Sequence, residues 1–251
     1  MRITADYHTH TVYSHGKGSI EDNVKAALKR GLKAVGICDH GPGHLFIGVR
    51  GEGALRRMQE EIRALRYKYP QIGILFGVEA NIVDLDGKID VPENLLPALD
   101  ILLLGYHKLV RPASVRAFFW LAANLFCGWL KFHPAWLRRL NTAAICTAVR
   151  RYPVTAVTHP GLQVDIDTGK LAAVCRERGT LLEINSSYGE KLDEYVRTAL
   201  PHGVFFLCSS DAHTPERVGD FAASFALVRR LQVPRGRIVN LQEDDREKQQ
   251  E

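Results

Sequence analysis

Seven short apolar runs punctuate the chain, and a histidine, a carboxylate or an amide follows each of them. The runs are Ile3–Asp6, Ala34–Cys38, Ile72–Val78, Ile101–Leu104, Val154–Thr158, Thr180–Ile184 and Val204–Cys208. After them come His8 and His10, with His15 in the loop; Asp39 and His40; Glu79; His107; His159; Asn185; and the string Ser209-Ser210-Asp211-Ala212-His213. Amphipathic stretches lie between, such as Asn23–Arg30, Leu55–Tyr67, Leu171–Arg178 and Phe221–Leu231. Ser19 is placed to cap the first helix, Glu21 and Asp22 suit its positive end, and Gly31, Gly179 and Gly203 are placed to close helices. The alternation predicts an α/β fold with a parallel sheet buried on both faces. Seven strands suit a closed or nearly closed TIM-like barrel. All strand C-termini then lie on one rim, where the polar residues converge.

Seven histidines (His8, His10, His15, His40, His107, His159, His213) with Glu79 and Asp211 make nine candidate metal donors. One tetrahedral ion takes three or four protein ligands, so nine suit two or three ions. His8 and His10 stand two apart on a strand and share a face. A single histidine after a strand is usually a solvated or hydrogen-bonded loop residue; seven on one rim are what favour ligation. His44, His133 and His202 lack that placement and read as surface or packing groups. Cys38 and Cys208 read as buried strand residues.

Composition narrows the class. With 251 residues, 46% hydrophobic and 24% charged, the chain can bury one large core, which excludes disorder, a collagen-like fibre and a disulfide-stapled miniprotein. A net charge of +5 suits small anions as readily as nucleic acid. Five scattered cysteines without a CxxC pair, and an N-terminus without an apolar signal region, lead us to expect a reduced, cytoplasmic protein. We expect one domain over 1–241 and a fraying polar tail over 242–251.

One span, 109–150, departs from the rest. Within it, Ala117–Leu130 reads AFFWLAANLFCGWL, with Arg111 and Arg116 on one side and Lys131, Arg138 and Arg139 on the other. It is too short to cross a bilayer and apolar all round, so it is expected to be buried somewhere. A lid over the barrel mouth or a homo-oligomer contact ranks first; weak contact with a membrane surface through Trp120 and Trp129 ranks last.

The motifs His8-Thr9-His10, His15, Asp39-His40, Gly77-Val78-Glu79-Ala80-Asn81, Gly105-Tyr106-His107, Thr158-His159-Pro160-Gly161, Glu183-Ile184-Asn185 and Ser210-Asp211-Ala212-His213 occur in order over about residues 1–240. In them the chain resembles the polymerase and histidinol phosphatase (PHP) superfamily, and its stand-alone bacterial phosphoesterases in particular. The resemblance implies a distorted (β/α)7 barrel with a trinuclear metal site at the strand C-termini. His8, His10, Glu79 and Asp211 would hold one ion, Glu79, His107 and His159 a second, and His15, His40 and His213 a third. Glu79, Asp211 and His213 would also count as catalytic. The ions would be zinc, manganese or iron, a choice that imidazole and carboxylate leave open.

The function so implied is hydrolysis of a small phosphomonoester by metal-activated hydroxide. Asp39 and Asn185 would stand behind the ligands, one orienting a histidine and one donating to ligand or water; capping of the next loop is the other reading of Asp39. Arg217 is the preferred cation for phosphate, with Lys108 beside His107, and Lys17 and Arg50 in nearby loops. Three alternatives stand beside this one. A nuclease is less favoured, because no basic stripe interleaved with aromatics is present. An amidohydrolase-type barrel would show a bridging lysine where Glu79 stands. A catalytically silent metal-binding module sits poorly with nine retained donors.

Overall fold

A computed structural model describes residues 2–242. Its strands are β1 (Arg2–Ile3), β2 (Ala5–Thr9), β3 (Ala34–Ile37), β4 (Gly73–Asn81), β5 (Ile101–Gly105), β6 (Ala156–Val157), β7 (Leu181–Asn185), β8 (Phe206–Ser209) and β9 (Leu241–Gln242). Strands β2 to β8 form one seven-stranded parallel sheet in sequence order. The sheet curls until its edges meet: Thr9 bridges Ala212, and the His10 amide donates to the Ala212 carbonyl at 2.8 Å. This is the nearly closed α/β barrel that the alternation predicts.

The predicted first run divides in two. Ile3 belongs to β1, which pairs antiparallel with β9 outside the barrel. That pair also claims Gln242, at the head of the predicted polar tail; the rest of the tail lies outside the described residues.

The helices are α1 (Ile20–Lys29), α2 (Gly51–Lys68), α3 (Val115–Trp129), α4 (Ala135–Arg151), α5 (Thr168–Arg178), α6 (Asp193–Ala199) and α7 (Ala222–Arg230). Several begin about a turn before the apolar stretches read from the sequence. At α1, Ser19 Oγ accepts from the Asp22 amide at 3.1 Å, and the Ser19 amide donates to the Asp22 carboxylate at 2.9 Å. Val24, Leu55, Met58, Ile62, Ile145 and Leu171 are among the apolar side chains that bury the outer face of the sheet.

The span 109–150 is two helices of different character. α4 buries Ala144, Ile145, Ala148 and Val149 and is an ordinary barrel helix. α3 buries only Ala117 and Trp120, while Phe119, Phe126 and Trp129 stand exposed, Trp129 at 77%. Within one chain, therefore, most of this run's apolar surface stays uncovered. Its contact with the molecule is a narrow stripe centred on Trp120, whose indole packs edge-on to Tyr106 and donates to Asn141 Oδ1 at 2.7 Å.

Candidate metal centre

Along each strand the barrel interior changes from apolar to polar. Cys38, Ile101, Leu103, Ala156 and Leu207 close-pack at its waist, with Tyr7, Leu75 and Leu181 against them. One or two pleats further on, the same strand faces present Glu79, Thr158, Glu183 and Ser209. Burial keeps the thiols of Cys38 and Cys208 protonated, that of Cys208 being pushed up to about 12. Gly105 is where this change needs space: a Cβ there would stand 2.5 Å from Thr158 Oγ1 and 3.1 Å from the His107 ring.

His8 reaches the interior through a bulge. Between Asp6 and Thr9, β2 spends three residues where β3 spends two, Val35 to Ile37. The extra residue lets Tyr7 pack inward at the waist while His8, one position on, also turns inward. His8 Nδ1 then lies 2.6 Å from Glu183 Oε1, and its Nε2 lies 3.1 Å from His10 Nε2.

Glu79, fully buried, is the hub. Its carboxylate lies 3.3 Å from His8 Nε2, 2.9 Å from His40 Nδ1, 3.4 Å from His107 Nε2 and 3.1 Å from His159 Nε2. Asp211 Oδ1 adds a second carboxylate, 3.1 Å from His10 Nε2 and 3.6 Å from His213 Nδ1. Three overlapping groups bring one donor atom per residue within 4.8 Å of one another: His8, His10 and Asp211; His40, Glu79 and His107; His10, His40 and His213. His15 joins through ring contacts, its centroid 4.2 Å from that of His213 and 4.9 Å from that of His40.

His10 Nδ1, His40 Nδ1 and Glu79 Oε2 are buried without a hydrogen-bond partner; the short His40–Glu79 approach lacks hydrogen-bond alignment. Buried polar atoms left unpaired are costly unless something else satisfies them. Imidazole nitrogens and carboxylate oxygens converging in this way fit divalent metal ions.

Electrostatics favour the same chemistry. Burial holds His10 and His40 well below the ordinary histidine range, with neighbouring imidazoles adding to it, so both rings are neutral donors near pH 7. Burial also opposes charge on His8, but Glu183, Glu79 and Asp211 together outweigh it and raise this ring well above its usual value. Burial likewise opposes ionisation of Glu79, and the surrounding His107, His8 and His40 overcome it, holding the carboxyl well below its usual range.

The residues behind the cluster correct the sequence reading in part. Asn185 donates to Asp211 Oδ2 at 3.1 Å, behind a candidate ligand. Asp39 orients no histidine: its carboxylate accepts from the Thr11 amide at 2.8 Å, from the Thr11 hydroxyl at 2.6 Å and from Ser14, so it ties down the loop after β2. Glu183, quoted in a motif but given no role, accepts from Ser209 Oγ at 2.6 Å and from the His159 amide at 2.9 Å while holding His8. Asn81 Oδ1 holds His107 Nδ1 at 2.7 Å, and Asp90 in turn holds the Asn81 amide group at 2.6 Å. Asn81 was findable, since it stands two residues beyond Glu79 on the same strand face; Asp90 comes from a loop and carries no such signal.

His159 and Asp211 have φ of +28° and +52°, a left-handed backbone that non-glycine residues rarely adopt and that marks sites held by their surroundings. His44, set aside on sequence, stands beside the cluster, its ring 6.1 Å from His40 and 6.3 Å from His107. The Arg217 guanidinium is exposed and lies 3.8 Å from Asp220, its ion-pair partner. Lys108 lines a cavity that His107 also lines.

The PHP domain model matches residues 6–206. A probable phosphatase of Acetivibrio thermocellus is 27% identical over 256 residues, covering 96% of this chain and 92% of the relative. A probable phosphatase of Caldanaerobacter subterraneus subsp. tengcongensis is 30% identical over 259 residues, covering 97% and 89%. Among solved structures, the histidinol phosphate phosphatase of Lactococcus lactis, complexed with zinc, L-histidinol and phosphate, aligns with a TM-score of 0.61 at 14% identity over 92% of this chain and 94% of that one. At that identity the likeness is one of fold.

Proposed function

The chain belongs to the PHP domain family, and on that premise we propose that it is a metal-dependent phosphatase hydrolysing a small phosphomonoester at a centre of three divalent ions. The observation that carries the reading is Glu79, one buried carboxylate within 3.4 Å of four imidazoles. The proposed ligand sets are His8, His10, Glu79 and Asp211; Glu79, His107 and His159; and His15, His40 and His213. Zinc, manganese and iron all suit these donors. Bound divalent ions supply Lewis acidity, offsetting the phosphate's charge and making water acidic enough to furnish hydroxide near neutral pH.

The protein's part is to fix that arrangement. Glu79 spans two of the sets. Glu183, Asn81 and Asn185 hold His8, His107 and Asp211 in place. His15 and His213, the more exposed members, form the face where substrate arrives. Lys108 is the proposed cation for the arriving phosphate, because it shares a cavity wall with His107; Arg217 is retained as the second candidate. In the net reaction, water adds to phosphorus, the bond from phosphorus to the ester oxygen breaks, and that oxygen leaves as the alcohol with one proton.

The test pairs elemental analysis of the purified protein with turnover of p-nitrophenyl phosphate, its bis-ester and a labelled oligonucleotide. The proposal expects bound divalent metal, and monoester turnover that a chelator abolishes and added metal restores. Activity on the oligonucleotide alone would replace it with a nuclease. Bound metal without any turnover would replace it with a silent metal-binding module.

A further inference from the structure

A cavity of about 220 Å³ opens beside His107, between the loop at Leu45, the segment from Tyr106 to Pro112, the inner side of α3 and Gln163–Val164. His107 belongs both to this lining and to the histidine cluster. An ester whose phosphate sits at the cluster therefore has this cavity next to its leaving oxygen. We propose that the cavity receives the organic group of the phosphomonoester, and that this group is apolar, an aryl or alkyl moiety rather than a sugar. The inference rests on the phosphatase reading above and names the substrate class of that site.

The lining carries the argument. Leu45, Leu109, Phe118 and Leu125 all face it and are each between 45% and 55% exposed, so an apolar occupant would cover surface that the chain itself leaves open. No Asp or Glu lines the cavity. Its polar side chains are few and partly committed. The Tyr106 hydroxyl donates to the Asn141 carbonyl at 2.6 Å. The Asn124 side-chain amide donates to the Trp120 carbonyl at 3.1 Å and to Asn141 Oδ1 at 2.9 Å, and its own oxygen accepts from Asn141 at 2.8 Å. A polyhydroxylated group would enter with hydroxyls that lose water and find few partners.

The walls are also held apart. The Leu45 amide donates to the Leu109 carbonyl at 3.1 Å, and the Arg111 amide to the Gly43 carbonyl at 2.8 Å. Leu109 itself has a φ of +63°, a conformation unfavourable for leucine, which keeps its side chain at the rim. The volume exceeds the roughly 150 Å³ of an engineered apolar cavity that binds benzene. Between Ile101 and Val164 the sequence has no Asp or Glu, so nothing acidic on that stretch repels an approaching phosphate.

The test compares n-hexyl phosphate with glucose 6-phosphate on the metal-loaded full chain, both esters of primary alcohols, and measures 1-naphthol binding separately by calorimetry. We expect kcat/KM at least about 10-fold higher for the hexyl ester, and saturable naphthol binding. Leu125→Gln and Leu45→Gln, both at half-exposed positions, should lower the hexyl-to-glucose ratio several-fold and weaken naphthol binding. Trp129→Gln, on the outer face of the same helix, should leave the ratio unchanged. Equal or better use of glucose 6-phosphate, or a ratio and naphthol affinity indifferent to both leucine changes, overturns the inference and leaves the phosphatase reading standing. Absence of turnover on every monoester, with naphthol still bound in a Leu125-dependent way, overturns the phosphatase reading and shows the cavity to be an apolar site of another kind.

Discussion

At the barrel mouth, side chains meet from opposite ends of the chain: His10 and Asp211 are 201 residues apart in sequence and 3.1 Å apart in space. In the cavity next to it, most of the wall comes from one stretch, Tyr106 to Leu125. The mouth is polar and cross-braced, and most of its donors are buried and seated near a strand end or held from behind; His15, on the loop after β2, is the exposed one. The cavity is half-open and apolar, and its shape depends on one helix and a short loop ladder. The mouth is thus fixed by the barrel framework, which any working centre needs. The cavity can be reshaped by α3 without moving a strand. Chemistry and recognition sit side by side on supports of different stiffness.

The strongest way to break the contrast is at Glu79. Glu79→Gln keeps the shape and removes the charge shared by four imidazoles. Turnover should fall by at least about 10²-fold, and bound metal should drop in elemental analysis, while 1-naphthol binding persists. Loss of naphthol affinity together with the metal would show the two regions to be one coupled unit. Glu183→Gln acts one step back. It weakens the hold on His8 and on the His159 amide, so metal affinity or turnover should fall about 10- to 100-fold. Titration with zinc against a competing chelator measures the first. An unchanged affinity would mean that the bulge at β2 alone aims His8.

These two positions also show how far the sequence could be read. The strands, their parallel order and the nine converging donors were legible because a two-residue period places side chains on one face and a parallel barrel gathers strand ends. Glu183 was harder to value, because its two-residue offset from Asn185 marks only a shared face, while its work is done against His8, 175 residues away in sequence. Asp90 was hidden for a different reason: a loop residue has no period to betray it. The apolar stretch of α3 was legible as a departure from the barrel pattern but not in its packing, because its composition is apolar all round while α3 touches the rest of the chain along only one stripe. Asn141, at the far side of that stripe, is an amide inside an otherwise ordinary helix, and only the fold shows what it binds.

Asn141→Ala should sharpen the contrast from the cavity side. It removes the acceptor for the Trp120 indole and both hydrogen bonds between Asn124 and the Asn141 side chain, under the wall formed by α3. Stability should fall by about 2 kcal/mol, or roughly 4–8 °C in Tm for a chain of this size. The metal content should not change. A loss of metal alongside the drop in Tm would mean that α3 also braces the mouth.

The smallest effect lies at the seam. His44 Nδ1 accepts from the Phe46 and Ile47 amides, each at 3.3 Å, and the Lys108 backbone also hydrogen-bonds this ring, so it pins the Leu45 loop to the segment after His107. Burial, with neighbouring imidazoles adding to it, lowers its pKa from 6.5 to about 4. In the metal-free protein the unfolded chain therefore takes up a proton at this residue from pH 6.5 downward, whereas the folded chain stays neutral there until about pH 4. Unfolding is proton-coupled over that window, and this contribution to stability is lost as the pH falls through it. The slope from one proton is at most about 1.4 kcal/mol per pH unit, and less here because water screens a half-buried ring. His44→Asn keeps an acceptor and abolishes the titration. Urea melts of the metal-free proteins at pH 4.5, 5.5 and 6.5 should show the variant losing stability less steeply than the parent. His10 and His40 also resist protonation, but they do so in both proteins, so the difference isolates His44. Parallel slopes would mean that the ring takes its proton in place, and that the wall between mouth and cavity is open to water.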